Sequence, residues 1–251
     1  MAAHLAITRE PGARYLKCIS CHPLRESLDL AKAKEQHKRY REALAELGLE
    51  VILLEHDDDR PDSCFVEDTA IIHGKKAAIC RLKPESRRGE ESPVEDVLRE
   101  SLNVKRVESP GTIEGGDVMH LSDRLVCGLT QRTNREGVKQ ASDWLEVKID
   151  TIRDPHIVHL KSYVTYLGRN KAICSRRFVG HPALKGLELL VIPESEAYAA
   201  NTLSIDDTVL MSSGRPQSHK VIREAGFEVV SMDTSEFEKC EGALTCLSLI
   251  L

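Results

Sequence analysis

The sequence predicts an α/β fold made of repeated units that stack radially, as the blades of a propeller do. The first observation is a recurrent order of helix, strand, loop and two further strands, in units of about 45 residues. A fixed period of this length is typical of repeats that cannot bury an apolar face alone. The second observation is one polar residue beside an apolar, strand-like run in each unit, with spacings of 46, 45, 42 and 45 residues: Asp68, Glu114, His159, Asn201 and Cys246.

These spacings predict one domain over residues 1–251, with the five side chains meeting near its axis. The composition agrees, because 251 residues of which 41% are hydrophobic can bury a sizeable core. With a net charge of −5, the chain has no excess of positive charge with which to bind nucleic acid or an anionic membrane. Arg9 and Glu10 interrupt the first residues before a signal peptide or a membrane span could form. We expect a cytoplasmic protein with a small-molecule substrate, and leave a homodimer open.

The first helix is expected over 28–47, where apolar residues recur at helical spacing until Gly48. A buried strand at 51–54 and a charged loop follow, and two apolar runs around Gly74 indicate a hairpin. The same order then returns along the chain. Further helices are expected at about 92–101, 134–146 and 216–225, and further strands at 104–107, 117–121, 124–128, 147–150, 157–167, 171–175, 187–193, 208–213, 227–232 and 244–251.

The eight cysteines are expected to be free thiols, because a disulfide framework is unusual without a secretory signal. Cys18, Cys21 and His22 form a lone C-x-x-C-H, which could bind zinc or act in redox chemistry. No second pair completes a four-ligand set, so chance proximity in a loop is favoured and no metal is expected. Three cysteines in apolar runs are expected to pack as small hydrophobes: Cys80, Cys127 and Cys174.

Cys246 and His159 are candidates for nucleophilic catalysis. Taken singly, each is better explained as a buried core residue, but together they favour a Cys/His pair, since such pairs are adjacent in space and not in sequence. Glu114 precedes Gly115 and Gly116, which allow a close backbone approach. Its alternative is a solvated loop carboxylate.

Glu67 and Asp68 are adjacent acids before a strand, and neighbouring strand side chains point to opposite faces, so their roles should differ. Arg87 and Arg132 lie in loops, where a planar guanidinium can bind a carboxylate or form a surface salt bridge. Several acids, a Cys/His pair and two arginines together suit a cationic head group beside a carboxylate, as in an amino acid like arginine.

The chain resembles the dimethylarginine dimethylaminohydrolases, which belong to the guanidino-group-modifying, or pentein, superfamily. The matching segments occur in the family's order over nearly the whole chain: P-D-S-C-F-V-E-D at 61–68, E-S-R-R-G-E at 85–90, P-G-T-I-E-G-G-D at 110–117, R-T-N-R-E-G at 132–137, H-L-K-S at 159–162 and G-A-L-T-C-L-S at 242–248.

The resemblance implies a five-bladed αββαβ propeller with a pseudo-fivefold axis and no cofactor. It makes Cys246 the nucleophile, His159 the general acid and then general base, and Glu114 the third catalytic residue. A lid would lie over residues 17–27, with Ile19 or Leu24 as alternatives for its apolar contact. Six residues would bind substrate: Asp68 with Glu67 at the guanidinium, Asp62 at the α-ammonium, Arg87 and Arg132 at the α-carboxylate, and Cys240 through its backbone carbonyl.

The implied activity is hydrolysis of Nω-methylated arginines to L-citrulline and methylamine or dimethylamine through a covalent thiouronium. An arginine deiminase-like hydrolysis of arginine or another small guanidino compound is the first alternative. Arginine deiminases are similar at H-L-D-T, where an aspartate clamps the unmethylated guanidinium, whereas this chain has Lys161 at that position. A non-catalytic pentein-fold binding protein is the second alternative, although such proteins lack the Cys/His/acid set.

Overall fold

The computed structural model describes residues 4–251 and contains five three-stranded sheets in a mixed α/β fold. Among these residues, no helix is long and apolar enough to cross a bilayer. The strands are β1 Leu5–Arg9, β2 Glu50–Leu54, β3 Ala70–His73, β4 Lys76–Ile79, β5 Asn103–Arg106, β6 Val118–His120, β7 Leu125–Leu129, β8 Ile149–Arg153, β9 Val164–Gly168, β10 Lys171–Cys174, β11 Glu188–Val191, β12 Leu203–Ile205, β13 Thr208–Ser212, β14 Glu228–Met232 and β15 Ser248–Ile250. The helices are α1 Leu30–Glu46, α2 Ser92–Arg99, α3 Arg135–Leu145, α4 Pro216–Glu224 and α5 Ser235–Glu238.

Each sheet combines an antiparallel strand pair with a third, parallel strand, and in four of the five sheets the antiparallel pair is a hairpin. In the sheet β3-β4-β5, α2 connects the parallel strands β4 and β5, as a crossover must. The sheets β6-β7-β8 and β12-β13-β14 use α3 and α4 in the same way, whereas short 3-10 turns connect β10 to β11. The recurrent order expected from the sequence is confirmed. The strand that follows each of the helices α1 to α4 pairs, in parallel, with the strand that precedes that helix.

The two ends of the described chain share one sheet, in the order β15-β1-β2. Ala6 pairs with Ile250 in the antiparallel half, while Ala6 and Val51 are partners in the parallel half. Strand β1 is not expected from the sequence, because its apolar run is short and ends at Arg9, beside Glu10. Since β15 is anchored in this way, Cys246, two residues before it, is tied to the core.

Helix α1 packs behind this sheet and supports the segment around Cys246. Its Tyr40 hydroxyl contacts the Leu244 carbonyl at 2.9 Å and the Ser248 hydroxyl at 2.7 Å. Asp29 caps its N-terminus by accepting from the Lys32 N–H. The helix, which was expected over 28–47, is therefore fixed to the part of the chain that bears the thiol.

A single turn of 3-10 helix precedes β3, β6, β9 and β15, at 66–69, 115–117, 160–162 and 245–247. His159 and Cys246 lie at these turns and not in strands, so the strands expected at 157–167 and 244–251 begin too early. Leu160 and Leu247 in the turns are fully buried. A buried 3-10 turn and a buried strand therefore give the same short apolar run in sequence.

The expectation of eight free thiols is wrong, because Cys18 is bonded to Cys240 with a Cα–Cα distance of 5.9 Å. The two cysteines are 222 residues apart in sequence, and no pattern in the chain indicated their proximity. Packing of the 13–17 turn against the α5 region brings them together: Tyr15, in that turn, donates from its hydroxyl to the Glu236 carbonyl at 3.1 Å. Cys21 of the C-x-x-C is free and exposed.

Reduction of this bond should lower the free energy of unfolding by about 2–4 kcal/mol, because the bond closes a long loop of the unfolded chain. Urea unfolding with and without dithiothreitol measures the change, and Cys18→Ser should make the protein insensitive to the reductant. Cys21→Ser, at an exposed free thiol, is the control and should behave as the unaltered protein. Iodoacetamide under denaturing, non-reducing conditions should modify six cysteines. Modification of all eight without reduction would contradict the disulfide.

Candidate active site

The 3-10 turns are joined to one another by buried backbone-to-carboxylate hydrogen bonds. Asp68 Oδ1 accepts from the Gly116 N–H at 2.8 Å, so the turns before β3 and β6 are linked. Asp117 Oδ1 accepts from the Leu160 N–H at 2.9 Å, which links the turns before β6 and β9. The turns before β6 and β9 are thus each held by an acid of the preceding turn.

The close approach of these turns depends on Gly115 and Gly116. A Cβ at Gly115 would lie 2.0 Å from the Glu67 carbonyl oxygen. One at Gly116 would lie 2.8 Å from both Asp68 Oδ1 and His159 Nδ1. The expectation that the glycines allow a close backbone approach is confirmed, and it explains how carboxylate and imidazole meet.

His159 lies between two carboxylates. Its Nε2 is 2.8 Å from Glu114 Oε2 and 3.6 Å from Asp68 Oδ1. The other oxygen of Glu114 accepts from the Lys83 N–H at 2.9 Å, and the Glu114 side chain is fully buried. A carboxylate fixed in this way orients the imidazole and favours its protonated form.

Arg87 balances the charge of the acids. Its guanidinium contacts Asp68 and Glu90, each at 2.8 Å, and lies 3.8 Å from Glu114. The residue is only 3% exposed, so the ion pairs are shielded from solvent. Removing one partner would leave an uncompensated buried charge, which is strongly destabilising.

These groups face a cavity of about 590 Å³. Seven of the nine residues selected from sequence line it: Asp62, Asp68, Arg87, Arg132, His159, Cys240 and Cys246. Glu67 and Glu114 do not line it, but hydrogen-bond to residues at or next to its wall.

Several other lining residues were not found from sequence, because nothing in their residue type or spacing set them apart from their neighbours. Asn201 is a partial exception, since it belongs to the spaced polar series. Of the two alternatives for an apolar lid contact, Ile19 lines the cavity. The remaining additions include Phe65, Gln131, Tyr163, Tyr198 and Glu238.

Asp62 and Arg132 place opposite charges in the cavity wall. The Asp62 carboxylate accepts from the Ile19 N–H at 3.1 Å, which ties the segment around Cys18 to the site. Arg132 Nη1 lies 3.9 Å from Glu114 Oε1 and has no hydrogen-bond partner among residues 4–251. The wall therefore offers one carboxylate and one guanidinium to a zwitterionic ligand.

Glu67 and Asp68 face different surroundings, as expected for adjacent side chains. Glu67 Oε1 accepts from Lys161 Nζ at 2.7 Å, and its Oε2 accepts from the Thr245 hydroxyl at 2.7 Å. Both oxygens are thus held by the protein. Asp68 is held by Gly116 and Arg87 and, unlike Glu67, lines the cavity.

The thiol of Cys246 is protonated near neutral pH in the ligand-free site. Burial, together with the negative charges of Glu67 and Asp68, raises the pKa of Cys246 to about 12. Burial opposes protonation of His159, but Asp68 and Glu114 outweigh it and raise the pKa of His159 to about 9. The resting pair is therefore a neutral thiol and an imidazolium.

Alkylation of Cys246 by iodoacetamide should accelerate by about tenfold per pH unit up to pH 10, without a plateau, because only the thiolate reacts. The raised pKa keeps the thiol neutral below that range. The rate is followed by peptide mass spectrometry in a Cys21→Ser background, which removes the exposed free thiol. A plateau at or below about pH 9, as for an unperturbed cysteine, would contradict the description.

The sequence profile of the family described as N,N dimethylarginine dimethylhydrolase, eukaryotic, matches residues 22–249. Two curated relatives are named N(G),N(G)-dimethylarginine dimethylaminohydrolase. The chain is 37% identical to the protein of Pseudomonas aeruginosa over 226 residues, which covers 88% of this chain and 89% of the relative. It is 36% identical to the protein of Streptomyces coelicolor, with coverage of 100% and 98%.

A solved structure of the Pseudomonas aeruginosa enzyme, a cysteine-to-serine mutant complexed with citrulline, superposes with a TM-score of 0.96 at 34% identity and covers 100% of both chains. The N-terminal domain of an arginine dihydrolase from cyanobacteria covers 100% of this chain with a TM-score of 0.88 at 20% identity, a likeness of fold alone. Profile, identity and coverage agree, and the chain belongs to the dimethylarginine dimethylaminohydrolase family.

Proposed function

We propose that the protein hydrolyses Nω-methylated arginines to L-citrulline and methylamine or dimethylamine, with Cys246 as the nucleophile. The chain is a hydrolase acting on C–N bonds, as its family is. The observation that carries the mechanism is the common cavity of Cys246, His159 and Asp68, with Glu114 hydrogen-bonded to the imidazole.

The guanidinium carbon is a poor electrophile because its charge is delocalised, so it must be held in place beside a thiolate. Asp68 would fix the guanidinium plane by charge-assisted hydrogen bonds. The positive charge of the bound substrate would then lower the raised pKa of Cys246, since an opposite charge nearby favours the ionised thiol. Substrate binding would thus generate the nucleophile, and the thiol proton would pass to solvent because His159 is already protonated.

Attack forms the C–S bond and gives a tetrahedral intermediate. The His159 imidazolium donates its proton to the departing amine as the C–N bond breaks, which leaves a covalent thiouronium on Cys246. His159, now neutral, takes a proton from water as the water attacks the same carbon. The C–S bond then breaks, and the hydroxyl proton passes to the leaving thiolate, which restores the neutral thiol as citrulline leaves. Glu114 holds the imidazole throughout.

The amino-acid end of the substrate would lie among the charged residues of the cavity wall. Asp62 would accept from the α-ammonium, while Arg132 and Arg87 would bind or frame the α-carboxylate. The backbone carbonyl of Cys240 would add a further acceptor. All four residues line the cavity, which supports these roles.

Lys161 supports a preference for methylated substrates. Lys161 has no carboxylate, and its ammonium binds the carboxylate of Glu67. Neither residue therefore provides a carboxylate for the side of the guanidinium that Asp68 does not bind. Asp68 lines the cavity and Glu67 does not, which favours a supporting role for Glu67 over the direct substrate contact expected from the resemblance. The unclamped side leaves space for methyl groups.

The five sheets would close around a pseudo-fivefold axis as a propeller. The hydrogen bonds between successive turns support this closure, and the bond from the Thr245 hydroxyl to Glu67 connects the last turn back to the first. The pairing of β15 with β1 supports it as well. A cytoplasmic location and a homodimer remain predictions.

The purified protein should release citrulline from asymmetric dimethylarginine with a kcat/KM at least about tenfold above that for arginine, because methyl groups fit the unclamped side and arginine gains no second carboxylate there. A colorimetric citrulline assay with both substrates measures the ratio. Cys246→Ser, which keeps the size of the side chain but removes the thiolate, is the control and should show no turnover. A ratio below one would favour the deiminase alternative.

A further inference from the structure

Asn201 belongs to the spaced polar series, yet the proposed mechanism gives it no part. The residue ends the 3-10 turn Glu194–Ala200 and lines the same cavity as Cys246. It is only 3% exposed, so its amide must be satisfied within the protein.

The amide binds Thr245, the residue before the nucleophile, at two atoms. Asn201 Oδ1 accepts from the Thr245 backbone N–H at 3.0 Å, and Nδ2 donates to Thr245 Oγ1 at 3.1 Å. The first N–H groups of a helical turn have no partner inside the turn. Leu244, at the N-cap of the turn that bears Cys246, has no side-chain acceptor. Asn201 supplies this cap from 44 residues away.

The same amide sets the direction of the Thr245 hydroxyl. Because Asn201 donates to Oγ1, the hydroxyl directs its own hydrogen to Glu67, at 2.7 Å. Glu67 in turn binds Lys161, two residues after His159. A buried chain of hydrogen bonds thus joins the segments that bear the nucleophile, the guanidinium-binding carboxylate and the imidazole.

A second contact holds the same two segments together. The Tyr198 hydroxyl donates to the Gly242 carbonyl, and both residues line the cavity. A Cβ at Gly242 would lie 2.2 Å from the Phe65 ring, so the nucleophile segment has little freedom to move on its other side. The 198–201 segment therefore packs against one side of the segment that bears Cys246, and Phe65 packs against the other.

We propose that Asn201 is a positioning residue for Cys246, acting through Thr245. The inference rests on the proposed function, in which Cys246 attacks the guanidinium carbon. Loss of the amide would let the 245–247 turn move, and a misplacement of about 1 Å can lower a rate about 100-fold. Substrate binding should change little, because Asn201 acts on the thiol and not on the amino-acid end.

Asn201→Ala should lower kcat for dimethylarginine by about 10- to 100-fold with KM within about threefold. Alkylation of Cys246 by iodoacetamide at pH 8 should become several times faster, because a loosened turn exposes the thiol and lowers its raised pKa.

The matched control is Ser218→Ala. Ser218 is buried and bonds Glu196 in the same 194–200 turn at 2.7 Å, but does not line the cavity. This variant should lose thermal stability while kcat and alkylation rate stay within about twofold.

Asn201→Asp is a second variant, for use if the alanine variant does not fold. It keeps an oxygen for the Thr245 N–H, removes the Nδ2 donor and adds a negative charge, so both kcat and the alkylation rate should fall.

Unchanged kcat and alkylation in a folded variant at position 201 would overturn the proposal. A tenfold rise in KM at constant kcat, about 1.4 kcal/mol of uniform binding, would also overturn it by making Asn201 a substrate contact. If the unaltered protein released no citrulline, the proposed function would fail, and the alkylation rates would still decide the role of Asn201.

Discussion

The buried charge balance around Asp68 is the constraint on which the rest of the site depends. Asp68 and Glu114 are opposed by Arg87 and the His159 imidazolium, and no more than 14% of any of these four side chains is exposed. With these charges matched, burial and the negative charges of Glu67 and Asp68 outweigh the opposing charge of Lys161 and keep the pKa of the Cys246 thiol high. In the proposed mechanism a cationic guanidinium would upset this balance, and ionisation of the thiol would restore it. Binding of the substrate's charge and activation of the nucleophile would then be one electrostatic event.

The fold supplies this constraint by bringing short turns into contact, not by long secondary elements. The turns before β3, β6, β9 and β15 carry acid, glycine, imidazole and thiol into one place. Gly115 and Gly116 permit an approach that any larger residue would block. The pairing of β15 with β1 then fixes the thiol although it lies near the end of the chain. Stability and catalytic geometry therefore share the same contacts, and substitutions in the turns should affect both.

Much of this arrangement is predictable from sequence, for identifiable reasons. The 45-residue period of Asp68, Glu114, His159 and Cys246 reflects one turn per sheet, so the spacing located the site. The first residue of a strand is harder to predict. Leu160 and Leu247 would be buried equally well in a 3-10 turn or in a strand, so the apolar pattern does not show where the turn ends and the strand begins. Contacts between residues far apart in the chain could not be predicted, because no sequence pattern marks them. The Cys18–Cys240 bond, the occupied oxygens of Glu67 and the amide of Asn201 on Thr245 depend on packing alone.

The central claim is that Cys246 forms a covalent thiouronium with a methylated arginine. Acid quenching during turnover of dimethylarginine, followed by intact-mass measurement and peptide mapping, tests it most directly. The account predicts an adduct with the mass of the substrate minus dimethylamine, confined to the peptide that contains Cys246 and lost after the substrate is exhausted. Citrulline release without any adduct in rapidly quenched samples, or an adduct on another cysteine, would contradict it.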